Sequence, residues 1–102
     1  MTEYEKKEVL YSYLFQEKKI KRLKELVENN KDASYLDELN SAIDLRNKIE
    51  ERIKSVNDPI LVEILYQKYV FGKTLEEISY IINYSHRHTE RLHRKAIKKF
   101  EF

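Results

Sequence analysis

The residues best able to do chemistry lie close together near the carboxyl end of the chain. Between Ser85 and Phe100 the sequence holds six basic residues against one acidic residue, and it also holds all three histidines. The basic residues are Arg87, Arg91, Arg94, Lys95, Lys98 and Lys99. Arginine makes planar, paired hydrogen bonds and lysine supplies a mobile positive charge, so the segment has the electrostatic character of a polyanion-binding surface.

Catalytic and metal-binding interpretations have less support. The Glu76-Glu77 pair lies where a helix begins, and capping together with the helix dipole explains its acidity. His86 and His88 point to different sides of a helix, and His93 has no second ligand at a chelating spacing. Without cysteine there is no thiolate ligand or nucleophile. We therefore predict no enzymatic activity, no metal and no cofactor, and expect the histidines to contact bases or phosphates or to lie on the surface.

These residues must be positioned by helices. The 102-residue chain has one glycine and one proline, whereas β-hairpins and sandwiches need these residues at their turns. The length fits one domain or two very small ones sharing a core. The longest run without an ionised side chain, residues 78–86, is far shorter than the ~20 residues that span a bilayer. We expect an all-α, cytoplasmic protein that makes no membrane contact.

The first half of the chain reads as an antiparallel helical hairpin. Thr2 and Glu5 have the spacing of a capping box at the start of a first helix, which is expected to end near Asn29 or Asn30. A second helix is expected from about Asp32 or Ser34. Apolar residues along both helices step by four and three, as in a coiled-coil seam. The seam residues are Val9, Tyr13, Ile20, Leu23 and Val27 on the first helix, and Leu39, Ile49 and Ile53 on the second.

Both hairpin helices carry more apolar surface than one seam uses. Residues 9–15 are apolar nearly all the way round, and Leu36, Ile43 and Leu45 lie off the second seam. Such helices need several neighbours. The neighbours are either the carboxyl-terminal domain folded back or a second copy of the hairpin, and we expect a homodimer.

Asn57-Asp58-Pro59 marks the boundary between residues 1–57 and a second domain, residues 58–102, because Asp58 suits a helix cap and Pro59 a first helical turn. A helix is expected over residues 59–70, stopped by Gly72. A second capping box, Thr74 with Glu77, predicts a short helix to Ile82. Its expected inward residues are Leu75, Ile78, Ile81 and Ile82.

Asn83 and Tyr84 are expected to form a turn, after which Ser85 caps a last helix that runs to about Phe100. A short helix, a tight turn and a longer basic helix form the helix-turn-helix arrangement, whose second helix lies in the DNA major groove. The expected base-reading residues are His86, Arg87, Glu90 and Arg91. The expected phosphate contacts are Lys73, Thr74, Ser85, Arg94, Lys95 and Lys98.

Two segments, Gly72-Lys-Thr-Leu-Glu-Glu-Ile-Ser79 and Tyr84-Ser-His-Arg-His-Thr-Glu-Arg-Leu-His-Arg-Lys-Ala-Ile-Lys-Lys-Phe100, resemble region 4 of the sigma-70 family. The whole chain is similar to small sigma-like regulators of phages and mobile elements. The resemblance implies the same four base-reading positions and a buried residue at Thr89, with Asn83 replacing the usual turn glycine. Arg87 stands where primary sigma factors commonly have an acidic residue, which implies a different preferred DNA sequence.

These patterns predict a sequence-specific, DNA-binding transcription regulator, phage or mobile-element encoded, that binds double-stranded DNA. Nothing in the chain resembles the sigma region that melts promoter DNA, so a complete sigma factor is not expected. The alternative is an interaction module that binds RNA polymerase or a sigma factor and redirects transcription without reading DNA itself. A packaging adaptor such as a small terminase subunit fits less well, because those usually place the helix-turn-helix first.

Overall fold

The computed structural model describes residues 1–30 and 33–102, and this part of the chain is almost entirely helical. The elements are α1 (Glu3–Asn30), α2 (Ala33–Lys54), α3 (Pro59–Leu65), a π-helical turn (Tyr66–Val70), α4 (Leu75–Ile82) and α5 (His86–Lys99). No strand occurs within the described ranges, which confirms the all-helical prediction. None of the helices described is long and apolar enough to cross a membrane. The predicted start of the second helix at Asp32 lies outside the described residues.

Helix α1 begins with the capping box that the sequence predicts. The Glu5 amide donates to the Thr2 hydroxyl oxygen, and the Thr2 amide donates to the Glu5 carboxylate, both over 3.1 Å. These two hydrogen bonds satisfy backbone donors that a helix start leaves unpaired. They also lower the pKa of Glu5, because the bonds favour its charged form.

Helices α1 and α2 lie side by side and run in opposite directions. Near the start of α1 the Tyr13 hydroxyl contacts Glu50 of α2, whereas further along Lys19 pairs with Glu38, which comes earlier in α2. The seam residues lie between the helices: Tyr13, Ile20, Leu23, Leu39, Ile49 and Ile53 are buried, and Val9 and Val27 are half-buried. Because these side chains are enclosed within one chain, a contact with a second copy has to use others.

One hydrophobic cluster joins residues from both sides of Pro59. Leu10, Ile49 and Ile53 of the long helices pack with side chains from α3, the π-helical turn and α5. The buried contributors from the second half of the chain are Leu61, Leu65, Tyr69, Ala96, Ile97 and Phe100. The later helices thus fold back on α1 and α2. The folded-back carboxyl-terminal domain was one of the two neighbours expected for the surplus apolar surface.

A carboxylate bridges three elements at the edge of this cluster. Glu50 of α2 accepts hydrogen bonds from the Tyr13 hydroxyl of α1 over 3.4 Å and from the Tyr66 hydroxyl over 3.3 Å. Burial and the adjacent carboxylate raise the pKa of Tyr13, and the same two causes raise the pKa of Tyr66 to about 12. Both phenols therefore keep their protons at neutral pH and remain donors to Glu50.

The helix expected over residues 59–70 changes its winding after Leu65. The Phe71 amide donates to the Tyr66 carbonyl five residues back, over 3.0 Å, which is the π-helical pattern. The wider turn accompanies full burial of Tyr69. Gly72 then takes a φ of 72°, a left-handed conformation that glycine adopts without strain, and the helical run ends there.

The side chain of Asp58 does not cap α3, so this prediction is wrong. Asp58 has the extended backbone of a capping residue, with φ of −137°, but its side chain accepts no hydrogen bond from the helix. The Asp58 carbonyl instead accepts from the Val62 amide over 2.9 Å. Pro59, at the first helical position, has no amide hydrogen, so the start of α3 has one unpaired backbone donor fewer.

The inward face of α4 also differs from the prediction at one position. Ile81 is 50% exposed, and Ser79 is buried in addition to Ile78. In an eight-residue helix, the face that follows Leu75, Ile78 and Ile82 at helical spacing includes Ser79 and excludes Ile81. The Ser79 hydroxyl donates to the Glu76 carbonyl over 2.6 Å, which satisfies its polar group inside the fold.

Candidate nucleic-acid interface

Helix α4 is fixed at its start by the predicted capping box. The Glu77 amide donates to the Thr74 hydroxyl oxygen over 3.1 Å, and the Thr74 amide donates to the Glu77 carboxylate over 3.0 Å. These bonds lower the pKa of Glu77, with a smaller contribution from Lys73. The Glu77 carboxylate therefore caps the start of α4, as the sequence predicts.

A tight turn over residues 83–85 joins α4 to α5. Asn83 adopts the left-handed conformation, with φ of 61° and ψ of 40°, and the Tyr84 amide donates to the Ser79 carbonyl over 3.0 Å. The Ser85 hydroxyl then accepts from the His88 amide over 3.1 Å and caps α5. Both local predictions, the turn at Asn83 and the cap at Ser85, agree with the structure.

One face of α5 packs into the protein core. Thr89 is fully buried, as the family resemblance implied, and its hydroxyl donates to the Ser85 carbonyl over 2.9 Å. Ala96, Ile97 and Phe100 are buried on the same side. At the far end the Lys6 ammonium donates to the Lys98 carbonyl over 2.9 Å, so α1 helps to close the last turn of α5.

His93 belongs to this buried face, so the expectation that it contacts bases or phosphates or lies on the surface is wrong. Its Nε2 lies 2.7 Å from the Tyr69 hydroxyl oxygen, and only 6% of the residue is exposed. Burial lowers the pKa of His93 to about 4, with further contributions from the charges of Lys68, Lys7 and Arg94. The sequence did hold a signal, because His93 follows Thr89 by four residues and precedes Ala96 by three.

The opposite face of α5 is exposed and basic. Arg87, Arg91, Arg94 and Lys98 follow one another at spacings of four, three and four, which places them on one side of the helix, with Lys95 beside them. All five residues are exposed. The helix has a single acidic residue, Glu90. We call these five residues the α5 basic face.

Two contacts lie at the margins of the α5 basic face. His86 Nε2 lies 3.4 Å from the Glu90 carboxylate, one turn along the helix, and both side chains are about half exposed. The Tyr84 and His88 rings have centroids 4.9 Å apart. The structure therefore brings together the four expected base-reading residues at the first two turns of α5, with Glu90 paired to His86.

The expected phosphate contacts fall into two groups. Arg94, Lys95 and Lys98 lie on α5, and Ser85 lies where α5 begins. Lys73 and Thr74 lie where α4 begins, at the opposite end of α4 from Ser85. Eight helical residues separate these two ends, which is about 12 Å along the helix axis. The oxygens of Thr74 and Ser85 accept capping bonds, so each hydroxyl hydrogen stays available as a donor.

Within residues 1–30 and 33–102 no group of three or more His, Asp or Glu side chains is placed to hold a metal ion. In comparisons with protein-family models, curated proteins and solved structures, no match to this chain was found. The geometry of the α5 basic face and of the elements that support it is therefore the basis for assigning a function.

The left-handed backbone of Asn83 generates a first prediction. Asn83→Gly should leave the free energy of unfolding unchanged or raise it, because glycine adopts positive φ without steric cost. Asn83→Val should lower it by ~1 kcal/mol or more, because a β-branched side chain is strained there. Urea denaturation of the three proteins checks this, and equal stability of the Gly and Val variants would contradict the turn geometry.

The buried His93 generates a second prediction. Its pKa in the folded protein, about 4, lies below the unfolded value of 6.5, so the unfolded chain binds the proton more tightly. The contribution of a neutral His93 is fully present above pH 6.5 and is lost as the pH falls toward 4. We expect the free energy of unfolding to fall by ~1 to 2 kcal/mol between pH 6.5 and pH 5.

Urea denaturation across this pH range measures the effect. His93→Gln removes the titration while keeping an amide that can pair with Tyr69, and it should flatten the pH dependence. His86→Gln, at an exposed position of the same helix, is the matched control and should keep it. A wild-type slope that survives in His93→Gln would show that another group causes it.

Proposed function

We propose that this protein is a sequence-specific regulator of transcription that binds double-stranded DNA by inserting α5 into the major groove. The observation that carries the proposal is the α5 basic face, which presents five exposed cations on the side of the helix directly opposite its buried side chains. A helix with its side chains is about 10 to 12 Å wide, which matches a major groove of about 12 Å.

The arginines at the start of α5 suit base recognition. Arg87 and Arg91 lie one turn apart in the first two turns, and each has a planar guanidinium group that can pair with O6 and N7 of a guanine. His86 and Glu90 lie beside them, and a Glu90 carboxylate can accept from a cytosine amino group. The three-residue turn and the Ser85 cap hold this end of the helix in a fixed direction.

Phosphate contacts come from the surrounding cations and hydroxyls. Lys95 and Lys98 lie further along α5, where they can neutralise phosphates without reaching base edges. The free hydroxyl hydrogens of Thr74 and Ser85 lie at two helix starts, where the backbone also favours an anion. Lys73 adds a charge next to Thr74.

The assignment to transcription rests on the resemblance of residues 59–100 to sigma-70 region 4, the helix-turn-helix that reads promoter DNA. On this proposal α4 and α5 are the two helices of that motif, and the origin in a phage or mobile element follows from the same resemblance. Phage and mobile-element regulators of this kind act in bacteria, whose DNA lies in the cytoplasm, so the proposal places the protein there.

A second candidate function, docking on RNA polymerase or a sigma factor, is favoured by one observation. At the end of α4 and in the following turn, Tyr80, Ile81 and Tyr84 are 79%, 50% and 43% exposed. Large apolar side chains grouped on a surface often mark a protein contact. Mobility-shift assays on random duplexes, run with and without RNA polymerase, separate the two functions, because the docking module shifts DNA only when polymerase is present.

The DNA-binding proposal generates a third prediction, which sorts the cations of α5 by position. On a site selected from a random DNA library, Arg87→Ala or Arg91→Ala should weaken binding by ~1 to 3 kcal/mol and relax the preference at one base pair. Lys95→Ala and Lys98→Ala should weaken selected and random duplexes about equally and reduce the salt dependence by up to ~1 ion each.

Fluorescence anisotropy titrations at several salt concentrations measure both effects. Lys21→Ala, which removes an exposed cation from α1, is the control and should change neither affinity nor preference. If Arg87→Ala and Arg91→Ala keep the wild-type affinity and site preference, α5 is not the reading helix and polymerase docking becomes the better account.

A further inference from the structure

A second face of α1 stays outside the packed structure. Its six residues step along the helix by four and three, the spacing of a coiled-coil seam, and every one of them is exposed. Three are aromatic: Tyr4, Tyr11 and Phe15 are 70%, 57% and 64% exposed. The six residues, called here the α1 outer stripe, are Tyr4, Glu8, Tyr11, Phe15, Lys18 and Arg22.

Neither α2 nor the carboxyl-terminal helices cover the α1 outer stripe. Helix α2 packs on the inner seam, and the later helices meet α1 through Leu10 and through Leu14, which lies against Gly72. The Tyr11 and Tyr69 rings meet in a T-shaped arrangement with centroids 5.1 Å apart, and Tyr11 still keeps more than half of its surface exposed. Three exposed aromatic rings along one helix face are typical of a surface that another protein covers.

The order of charges along the stripe indicates what covers it. A second copy running antiparallel, placed so that Tyr11 of each chain lies beside Phe15 of the other, sets Glu8 opposite Lys18 and Tyr4 opposite Arg22. Each contact is favourable: an aromatic pair, an ion pair and a cation–π pair. Two-fold symmetry forms each of them twice. Within the described residues, neither Lys18 nor Arg22 has an ion-pair partner in its own chain.

A parallel pair and the heptad-shifted antiparallel pairs are less favourable. A parallel pair sets Glu8 against Glu8 and Lys18 against Lys18, so like charges meet at both ends. Shifting the antiparallel pair by one heptad in one direction sets Glu8 against Glu25, and shifting it by one heptad in the other leaves Lys18 and Arg22 without partners. A shift by one layer moves the axis to Phe15 and sets Glu8 against Arg22. The charge pattern therefore disfavours the parallel pair and the heptad-shifted registers. Charge reversal and cross-linking distinguish the proposed register from the one with its axis at Phe15.

We propose that the α1 outer stripe is a homodimer interface in which two α1 helices pair antiparallel about a two-fold axis at the level of Tyr13. Tyr11 and Phe15 form its centre, and the Glu8–Lys18 contacts set its register. The interface uses side chains that the fold leaves exposed, so it coexists with the buried seam between α1 and α2. It does not depend on the DNA-binding function proposed above.

Sedimentation equilibrium of the full chain tests the association. We expect the average mass to rise from one chain toward two across roughly 1 to 300 μM, the affinity range of small interfaces. Phe15→Glu should raise the dissociation constant at least ~10-fold, because it places a charge at the centre of the contact. A wild-type chain that stays monomeric throughout overturns the proposal.

The matched control is Tyr80→Glu, which changes an aromatic residue of similar exposure on α4 and should leave the association unchanged. Equal effects of Phe15→Glu and Tyr80→Glu would place the contact elsewhere and also overturn the proposal. Urea denaturation at a concentration where all chains are monomeric should give wild-type stability for Phe15→Glu, because that side chain is exposed.

Charge reversal tests the register. Glu8→Lys and Lys18→Glu should each weaken the dimer, because each sets like charges opposite one another, and the double variant should return to within ~3-fold of the wild-type dissociation constant. Single effects that add in the double variant exclude the proposed pairing.

Disulfide cross-linking tests the same register without relying on charge. The chain has no cysteine, so there is no background reaction. A mixture of Tyr11→Cys and Phe15→Cys proteins should form a mixed cross-linked dimer faster than either protein links to itself, because opposed positions bring the sulfurs close enough to bond. Faster self-linking of Phe15→Cys places the axis at Phe15 and overturns the register.

Discussion

The carboxyl-terminal helices depend on the long helices for a core. α3, the π-helical turn, α4 and α5 occupy only residues 59–99, and so short a segment buries too little surface on its own. Leu10, Ile49 and Ile53 supply the missing apolar contacts, and Glu50 pairs with phenol hydroxyls at the edge of the same cluster. The position of α5, and with it the direction of its exposed face, therefore follows from packing against α1 and α2.

This packing gives the two faces of α5 different environments, one buried and one exposed. The buried face favours the neutral form of His93, because burial removes water from the ring and the charges of Lys68, Lys7 and Arg94 oppose its protonation. The exposed face gathers five cations that repel one another, and none of them forms an ion pair within the described residues. On the proposed function a polyanion stabilises this surface, because its phosphates neutralise the repulsion between the cations.

The sequence alone was sufficient to predict features in which a single residue determines the local backbone geometry. Thr2, Thr74 and Ser85 cap helices, and Asn83 takes positive φ, because each effect depends on atoms within four residues. Features that depend on tertiary packing were harder to predict from the sequence. The burial of His93 depends on Tyr69, which is distant in sequence, and no residue pattern indicated the π-helical turn at Tyr66–Val70. The exposure of Ile81 follows from helical spacing within α4, which the prediction did not apply strictly. The apolar surplus of residues 9–15 was visible, but only the structure divides it between a buried Leu10 and an exposed Phe15.

The α1 outer stripe and the α5 basic face belong to different helices and share no residue. The buried face of α5 packs in the cluster that contains Leu10 and Tyr13 of α1, so the cations opposite that face point away from α1. Pairing two chains through the outer stripe uses no residue of either basic face and relates the two basic faces by the same two-fold axis. Two linked basic faces bind one polyanion more tightly than either does alone, because the second contact forms at a high effective concentration. On the two proposals together, the dimer favours a DNA site whose two halves repeat with the same symmetry.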